Sequence, residues 1–272
     1  MTAPLATTRA HDNHVPDDVD ARLTGLLESL VAQRGVHHAN LALTSGDGKQ
    51  RWSAASGPAG ADGHPPRSDT PFFIASVTKR FIITLVLQAH ERGELDLAAP
   101  INRYLPAELI AGLHVFRGID RTSAITVRHL ASHTSGLPDY FEKRREGPSL
   151  YERLAAGQDL AWTFEDAMRI TREQQRPHFE PQDLTAARQK ARYSDTGFQL
   201  LIRIVETVTD RSFAEHSGAT GTWLFHCPEL DLHLVGTVDQ TKGQAIPFRF
   251  MARCLGVWRT SEVARHRATA RR

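Results

Sequence analysis

This chain of 272 residues has few cysteines and a small net charge. Its two cysteines, Cys227 and Cys254, are too few for a disulfide framework, and we expect both to be small buried side chains in a reducing compartment. The formal net charge is only +2, and much of the positive excess lies near the C-terminus. A basic end of this kind is typically a solvated, frayed helix, so no nucleic-acid partner is expected.

Long apolar segments are also missing. The residues up to Pro16 include histidines and aspartates, whereas a secretory signal needs an unbroken apolar stretch. The most apolar run, from Phe72 to Leu87, is interrupted by Lys79 and Arg80, so it is not expected to span a bilayer. The sequence therefore predicts a cytoplasmic protein with no membrane partner.

The signatures of several common active sites are absent as well. The sequence has neither a glycine loop that cradles phosphates nor a Gly-x-Ser-x-Gly elbow, which excludes the nucleotide-binding and alpha/beta-hydrolase interpretations. His129 and His133 could share one face of a helix, but no carboxylate completes a metal-ligand set. We therefore expect no metal and no cofactor, and a structural hydrogen-bonding role for these two histidines.

The motif that is present is Ser76-Val77-Thr78-Lys79, at the start of a strongly apolar helical run. Side chains three residues apart share one face of a helix, so the Ser76 hydroxyl and the Lys79 amine are expected to be neighbours. Serine is a weak nucleophile at neutral pH, and a partly desolvated amine can take its proton during attack. The same spacing arises by chance in many surface helices. Because the segment from Phe81 to Leu87 is apolar on nearly every side, however, we expect this helix to be buried.

The pattern of the remaining chain predicts an α+β fold, in which an antiparallel sheet has flanking helices and a helical insertion beside it. Apolar residues at helical spacing indicate a helix from Asp17 to Arg34 that ends at Gly35. Two strand pairs are expected, one around the turn from Ser45 to Gly48 and the other joined by Cys227 to Glu229. Helices and loops lie between them, including a helix from Thr196 to Val208.

This pattern also suggests domain boundaries. We expect residues 1–15 to form a flexible tail and residues 265–272 to form a basic tail. Residues 16–57 and 216–264 would form the sheet-and-helix half, while residues 58–215 would carry the Ser76 helix and the helical half.

Further segments carry a recognisable pattern besides the Ser76 motif, and they occur in a fixed order. They are Pro71 to Lys79, Gly93 to Leu97 with Tyr104 to Pro106, Ile125 to Leu137, Tyr193 to Leu201, and His216 to Gly221. In these segments the chain resembles the beta-lactamase-related serine hydrolase superfamily, in the class C-like branch with penicillin-binding proteins, D-amino-acid peptidases and carboxylesterases. The resemblance implies a beta-lactamase/transpeptidase-like fold. It also implies a serine hydrolase that forms an acyl-enzyme with a small ester, amide or peptide and needs no cofactor.

The same resemblance implies roles for individual residues. Ser76 would be the acylated nucleophile and Lys79 its proton acceptor, while Tyr193 would be the second base. The backbone N–H groups of Ser76 and Ala219 would form the oxyanion hole. A tyrosine beside an ammonium can shuttle a proton to the leaving group because the positive charge stabilises its phenolate.

Two positions depart from the family pattern. Asp195 stands where family members commonly have Asn, and its carboxylate could pair with Lys79 and keep the amine protonated. His216-Ser217-Gly218 occupies the place of the Lys-Thr-Gly strand that grips a substrate carboxylate. Histidine is only partly charged at neutral pH, so simple esters or amides are favoured over carboxylate-bearing beta-lactams. Gly218 would let the backbone approach the ligand closely.

The chain also looks shortened, or truncated, by an internal deletion between Tyr193 and His216, which are only 23 positions apart. After the helix that ends at Val208, only Thr209 to Glu215 remain to reach the sheet, and seven extended residues span at most about 25 Å. An apolar face left uncovered would favour self-association. Two hypotheses follow, namely an active serine hydrolase and a catalytically inactive relative that serves as a binding module or retains no activity.

Overall fold

The computed structural model describes residues 5–60, 63–70, 74–158, 160–210, 221–227, 232–238, 250 and 252–260. The chain divides into two compact units. The first unit consists of Met1–Thr78 with His216–Arg272, and the second unit consists of Lys79–Glu215.

A five-stranded antiparallel sheet forms the first unit, with the strand order β1-β3-β2-β7-β6. The strands are β1 (Leu5–Arg9), β2 (Ala39–Ser45), β3 (Arg51–Pro58), β6 (Gly221–Cys227) and β7 (Leu232–Val238). Strand β2 lies in the middle, because Leu43 is the register partner of Trp52 in β3 on one side and of Leu234 in β7 on the other. Both predicted strand pairs are therefore confirmed, and the pieces that complete the sheet are distant in sequence.

The N-terminal strand differs from the sequence expectation. Residues 5–9 were expected to lie in a flexible tail, but they pair with β3 along the edge of the sheet, with Leu5 opposite Pro58 and Arg9 opposite Ala54. Thr7 also donates a side-chain hydrogen bond to Ser56 over 3.0 Å. The segment has no clear apolar alternation, so its strand conformation comes from the hydrogen-bonding edge that β3 offers rather than from local pattern.

Helix α1 (Asp17–Val31) covers the sheet. Its buried residues Val19, Leu23 and Leu27 recur at helical spacing and belong to one core with Trp52, and each fully buried leucine contributes roughly 1.5–3 kcal/mol. The Trp52 indole donates a 2.8 Å hydrogen bond to Asp20 on the same helix. The predicted helix thus exists, although it ends before Gly35.

A second helix completes this core. Residues 250 and 252–260 are helical, and we call residues 252–260 helix α8. Its residues Cys254 and Trp258 are buried with the α1 side chains, so Cys254 is the small buried side chain that the sequence predicted. The side chain of Cys227 lies outside the described residues.

The second unit is mainly helical and has its own core. Its elements are α2 (Thr78–Glu91, which begins at the last residue of the first unit), α3 (Ala107–Ile110), β4 (Val115–Phe116), β5 (Ile119–Asp120), α4 (Val127–Ala131), α5 (Leu150–Ala155), α6 (Phe164–Arg169) and α7 (Asp195–Thr209). Helix α6 continues as a π-helix from Ile170 to Gln174. The described part of the chain contains no helix with both the length and the apolar character that crossing a membrane requires.

Helix α2 is less buried than its composition predicts. Ile82, Val86 and Ala89 are buried, but Phe81 is 54% exposed and Leu87 is 45% exposed. The helix is therefore amphipathic, because side chains at spacings of three and four residues face the core while those between them do not.

Candidate active site

Ser76 lies in the first unit, on a 3-10 turn from Ala75 to Val77 that runs directly into α2. Its side chain is exposed, whereas the preceding Ala75 is buried. Ala75 has a φ of 50°, a left-handed conformation that is uncommon for a residue with a Cβ. Such conformations cost free energy and persist at sites where the surrounding structure imposes them. Within the same unit, strand β6 packs beside this turn.

Lys79 lies one residue into α2, and the second unit surrounds its side chain. Its Nζ forms an ion pair with Asp195 and lies 4.9 Å from the centre of the Tyr193 ring and 5.4 Å from that of Phe198. The side chain of Lys79 is only 16% exposed. The structure thus brings together three of the predicted site residues, Lys79, Tyr193 and Asp195.

The start of helix α7 positions two of these groups. Ser194 is the N-cap, and its hydroxyl accepts a hydrogen bond from the Gly197 N–H over 3.3 Å, the local interaction that favours serine at this position. The same hydroxyl donates to the Pro138 carbonyl over 2.9 Å, which fixes the helix start against a neighbouring loop. Tyr193 therefore lies just before the helix and Asp195 in its first turn, where the helix dipole favours a carboxylate.

The environment of Lys79 favours its charged form. Burial is the largest influence and lowers the pKa of Lys79, but the charges and hydrogen bonds of Asp195 and Tyr193 together raise it above the ordinary value. The expected pairing of Asp195 with Lys79 is therefore present, and the amine is an ammonium at neutral pH.

His133 contacts the same group of side chains. Its ring stacks on Tyr193 with 4.7 Å between centroids and lies 5.0 Å from the ring of Phe198. Its Nδ1 accepts a 3.2 Å hydrogen bond from the Ser194 N–H. Burial, followed by the positive charge of Lys79, lowers the pKa of His133. The imidazole is thus a neutral acceptor that holds the tyrosine and the helix start in place.

His129 has a separate structural role. Its Nδ1 accepts the Thr126 N–H over 3.0 Å and forms a capping box at the start of α4, and its Nε2 lies 2.6 Å from the Gln182 carbonyl oxygen. Both histidines therefore serve in hydrogen bonding, as the sequence predicted.

A further carboxyl group, Asp139, is buried near this site and was not predicted from the sequence. It is 3% exposed and accepts a 2.9 Å hydrogen bond from the Phe141 N–H. Burial, followed by the negative charge of Asp195, raises the pKa of Asp139 to about 7. A signal was available, because Asp139 is the one charged residue within the otherwise apolar or neutral run from Gly136 to Phe141, and a carboxyl in such a run is seldom left without a function or a partner.

Four further predicted site residues lie outside the described residues, namely His216, Ser217, Gly218 and Ala219. Residues 211–215 of the predicted short connection also lie outside them.

Comparison with known proteins identifies the family of this chain. Residues 23–220 match the Beta-lactamase family. Esterase EstB from Burkholderia gladioli is 36% identical over 138 residues, which are 49% of this chain and 32% of the esterase. Penicillin-binding protein 4* from Bacillus subtilis is 28% identical over 151 residues, which are 56% of this chain and 28% of that protein. The chain therefore spans about a third of the length of these curated relatives.

Solved structures agree with the sequence comparison. The D-amino acid amidase from Ochrobactrum anthropi, in complex with L-phenylalanine, superposes with a TM-score of 0.54 at 28% identity. The superposition covers 71% of this chain and 46% of the amidase. This likeness confirms the predicted α+β fold, with its antiparallel sheet, flanking helices and helical half. The chain belongs to the beta-lactamase family.

Proposed function

We propose that the protein is a serine hydrolase that acts on small esters or amides through an acyl-enzyme at Ser76. The observation that carries this proposal is the convergence of Lys79, Tyr193 and Asp195. Lys79 belongs to the Ser-x-x-Lys motif and follows Ser76 by one helical turn, which links the proposed nucleophile to these groups. The similarity to proteins named esterase and D-amino acid amidase supports ester and amide substrates for this chain too.

In the proposed reaction, the Ser76 Oγ forms a bond to the substrate carbonyl carbon while Tyr193 takes the hydroxyl proton. In this step Tyr193 reacts as the phenolate, which the neighbouring Lys79 ammonium stabilises, so that a larger fraction of the tyrosine is ionised and able to take the proton. The carbonyl oxygen becomes an oxyanion held by the N–H groups of Ser76 and Ala219. Tyr193 then passes its proton to the departing alkoxide or amine, and water later hydrolyses the acyl-enzyme. His216, Ser217 and Gly218 would line the substrate position, and Asp195 would orient Lys79.

Covalent labelling tests the nucleophile directly. The full chain is incubated with a fluorophosphonate, and the product is measured by intact mass and peptide mapping. We expect one adduct at Ser76, because phosphonylation needs an activated hydroxyl beside an oxyanion hole. A folded protein that stays unlabelled, or that is labelled elsewhere, would contradict the proposal.

The raised pKa of Lys79 also favours the second candidate function, an inactive relative that acts as a binding module. A lysine that stays protonated cannot itself serve as the base for Ser76. The two candidates differ in the proton acceptor, since the hydrolase requires Tyr193 to accept the proton or Lys79 to lose its own.

Replacing Asp195 by Asn tests how the ion pair controls activity. The change removes the negative charge that raises the pKa of Lys79 and leaves burial, which lowers it. If a neutral lysine supports the reaction, the acid limb of the kcat/KM profile for a chromogenic ester moves to lower pH by about one pH unit or more.

The matched control is Asp183→Asn, the same chemical change at an exposed aspartate. This variant is expected to keep the profile of the parent protein. If Asp195→Asn also keeps that profile while remaining folded, Asp195 does not control the protonation of the reacting groups.

A further inference from the structure

A cavity of about 330 Å³ lies in the second unit, and its lining includes neither Lys79 nor Tyr193. Parts of the β4–β5 hairpin, the π-helix and the segment that follows it form its walls. Its lining consists of Gly112, Leu113, Val115, Arg117, Gly118, Arg145, Thr171, Arg172, Gln175, Arg176 and Pro177. This volume is at the lower end of the range for small-molecule sites, which is roughly 300–1,000 Å³.

The lining has an unbalanced charge. Arg117, Arg145, Arg172 and Arg176 all contribute to it, and no acidic side chain does. Among the residues that the structure describes, none of these four arginines forms an ion pair with a carboxylate. Guanidinium groups remain charged at all physiological pH values, so the cavity carries a positive potential that attracts anions.

Local structure holds two of these arginines at the cavity. Arg172 lies in the π-helix, and its Nε and Nη2 donate to the carbonyls of Ala111 and Leu109 over 2.8 and 3.0 Å. Arg117 occupies the tight turn between β4 and β5 with a φ of 52°, next to Gly118 with a φ of 80°. Two consecutive residues with positive φ form the turn that a two-residue hairpin requires. The turn therefore fixes the backbone position from which the Arg117 side chain extends. Bulges of π type are frequent at functional sites.

Gln175 adds a different group to the lining. It is 7% exposed, and its Nε2 donates to the Asp139 carbonyl over 2.5 Å. Its Oε1 is buried and accepts no hydrogen bond from any described residue. Because this oxygen is shielded from solvent, we expect the arginines rather than Gln175 to hold a ligand in the cavity.

We infer that this arginine cavity binds the phosphate group of a small phosphorylated molecule, at a site separate from the proposed hydrolase centre. A planar guanidinium group can donate two parallel hydrogen bonds to the oxygens of one phosphate. Several positive charges around one cavity also favour a dianion over a single carboxylate. The small volume restricts the ligand to a phosphate with a short carbon skeleton.

Calorimetric titration of the full chain with inorganic phosphate and with glycerol phosphate tests this inference, with chloride at equal ionic strength as the reference. The variant Arg145→Gln/Arg176→Gln removes two exposed arginines of the lining, and Arg128→Gln/Arg188→Gln removes two exposed arginines elsewhere in the same unit. We expect the first variant to bind phosphate at least about tenfold more weakly, while the second binds as the parent protein does. A third titration, with vesicles that contain phosphatidic acid, separates a lipid headgroup from a free phosphate as the source.

Saturable phosphate binding that only the cavity variant weakens would support the inference. If vesicles bind and the soluble phosphates do not, the phosphate comes from a lipid headgroup, provided that the cavity variant again loses binding. Heat no greater than that with chloride for all three ligands, or equal weakening by both variants, would overturn the inference. Because the measurement is binding, its result does not depend on esterase activity.

Discussion

Replacing Ser76 by Ala is expected to abolish the burst of product from a chromogenic ester and to lower turnover by roughly a thousandfold or more. The substitution removes the oxygen that would carry the acyl group, and no rearrangement of Lys79 or Tyr193 can replace it. Ser76 is exposed on its turn, so the loss of one oxygen should leave stability within about 0.5 kcal/mol of the parent value. Stopped-flow absorbance gives the burst amplitude, and thermal unfolding checks the fold.

A second serine provides the control for this result. Ser123→Ala makes the same change at an exposed position of the other unit and is expected to keep the full burst. Identical traces for the parent protein and Ser76→Ala would assign any hydrolysis to another group and would favour the inactive relative.

Replacing Gly136 by Ala is expected to lower the free energy of unfolding by about 3–5 kcal/mol, which is a large share of the total for a typical domain. Gly136 has a φ of 76°, and a Cβ at this position would lie 2.0 Å from the backbone oxygen of Phe179. The Gly136 carbonyl also accepts the His178 N–H over 2.9 Å, so the two backbone segments cannot separate without losing a hydrogen bond. The same loop carries His133 and Asp139, and its displacement should also reduce activity.

A substitution at a second glycine separates the effect of the left-handed backbone strain from the effect of the steric clash. Gly157 has a φ of 79°, but a Cβ there would meet nothing within 4 Å. Gly157→Ala should therefore lower the free energy of unfolding only by the strain of the left-handed conformation, about 1 kcal/mol. Urea unfolding curves of the three proteins give the difference, and equal values for the two variants would show that the loop moves aside to accept the Cβ.

Sequence patterns located much of the candidate site because its chemistry lies in short segments. The Ser-x-x-Lys spacing identified Ser76 and Lys79, and the segment at the start of the predicted α7 identified Tyr193 and Asp195. The family resemblance implied that position 195 lies near Lys79, and the negative charge of Asp195 then suggested the ion pair. The contact of His133 with Tyr193 and the burial of Asp139 were not predicted, since both depend on how the loop after α4 folds back onto the start of α7.

By itself, the sequence determined the two strand pairs, the long helices α1 and α7, and the family to which the chain belongs. These features depend on local periodicity and on residues close together in the chain. Tertiary structure alone decided that residues 5–9 form a strand, that His133 stacks on Tyr193, and that four arginines line one cavity. Each of these results depends on partners far away in sequence, because sheet edges, ring contacts and cavities are formed only when distant segments meet.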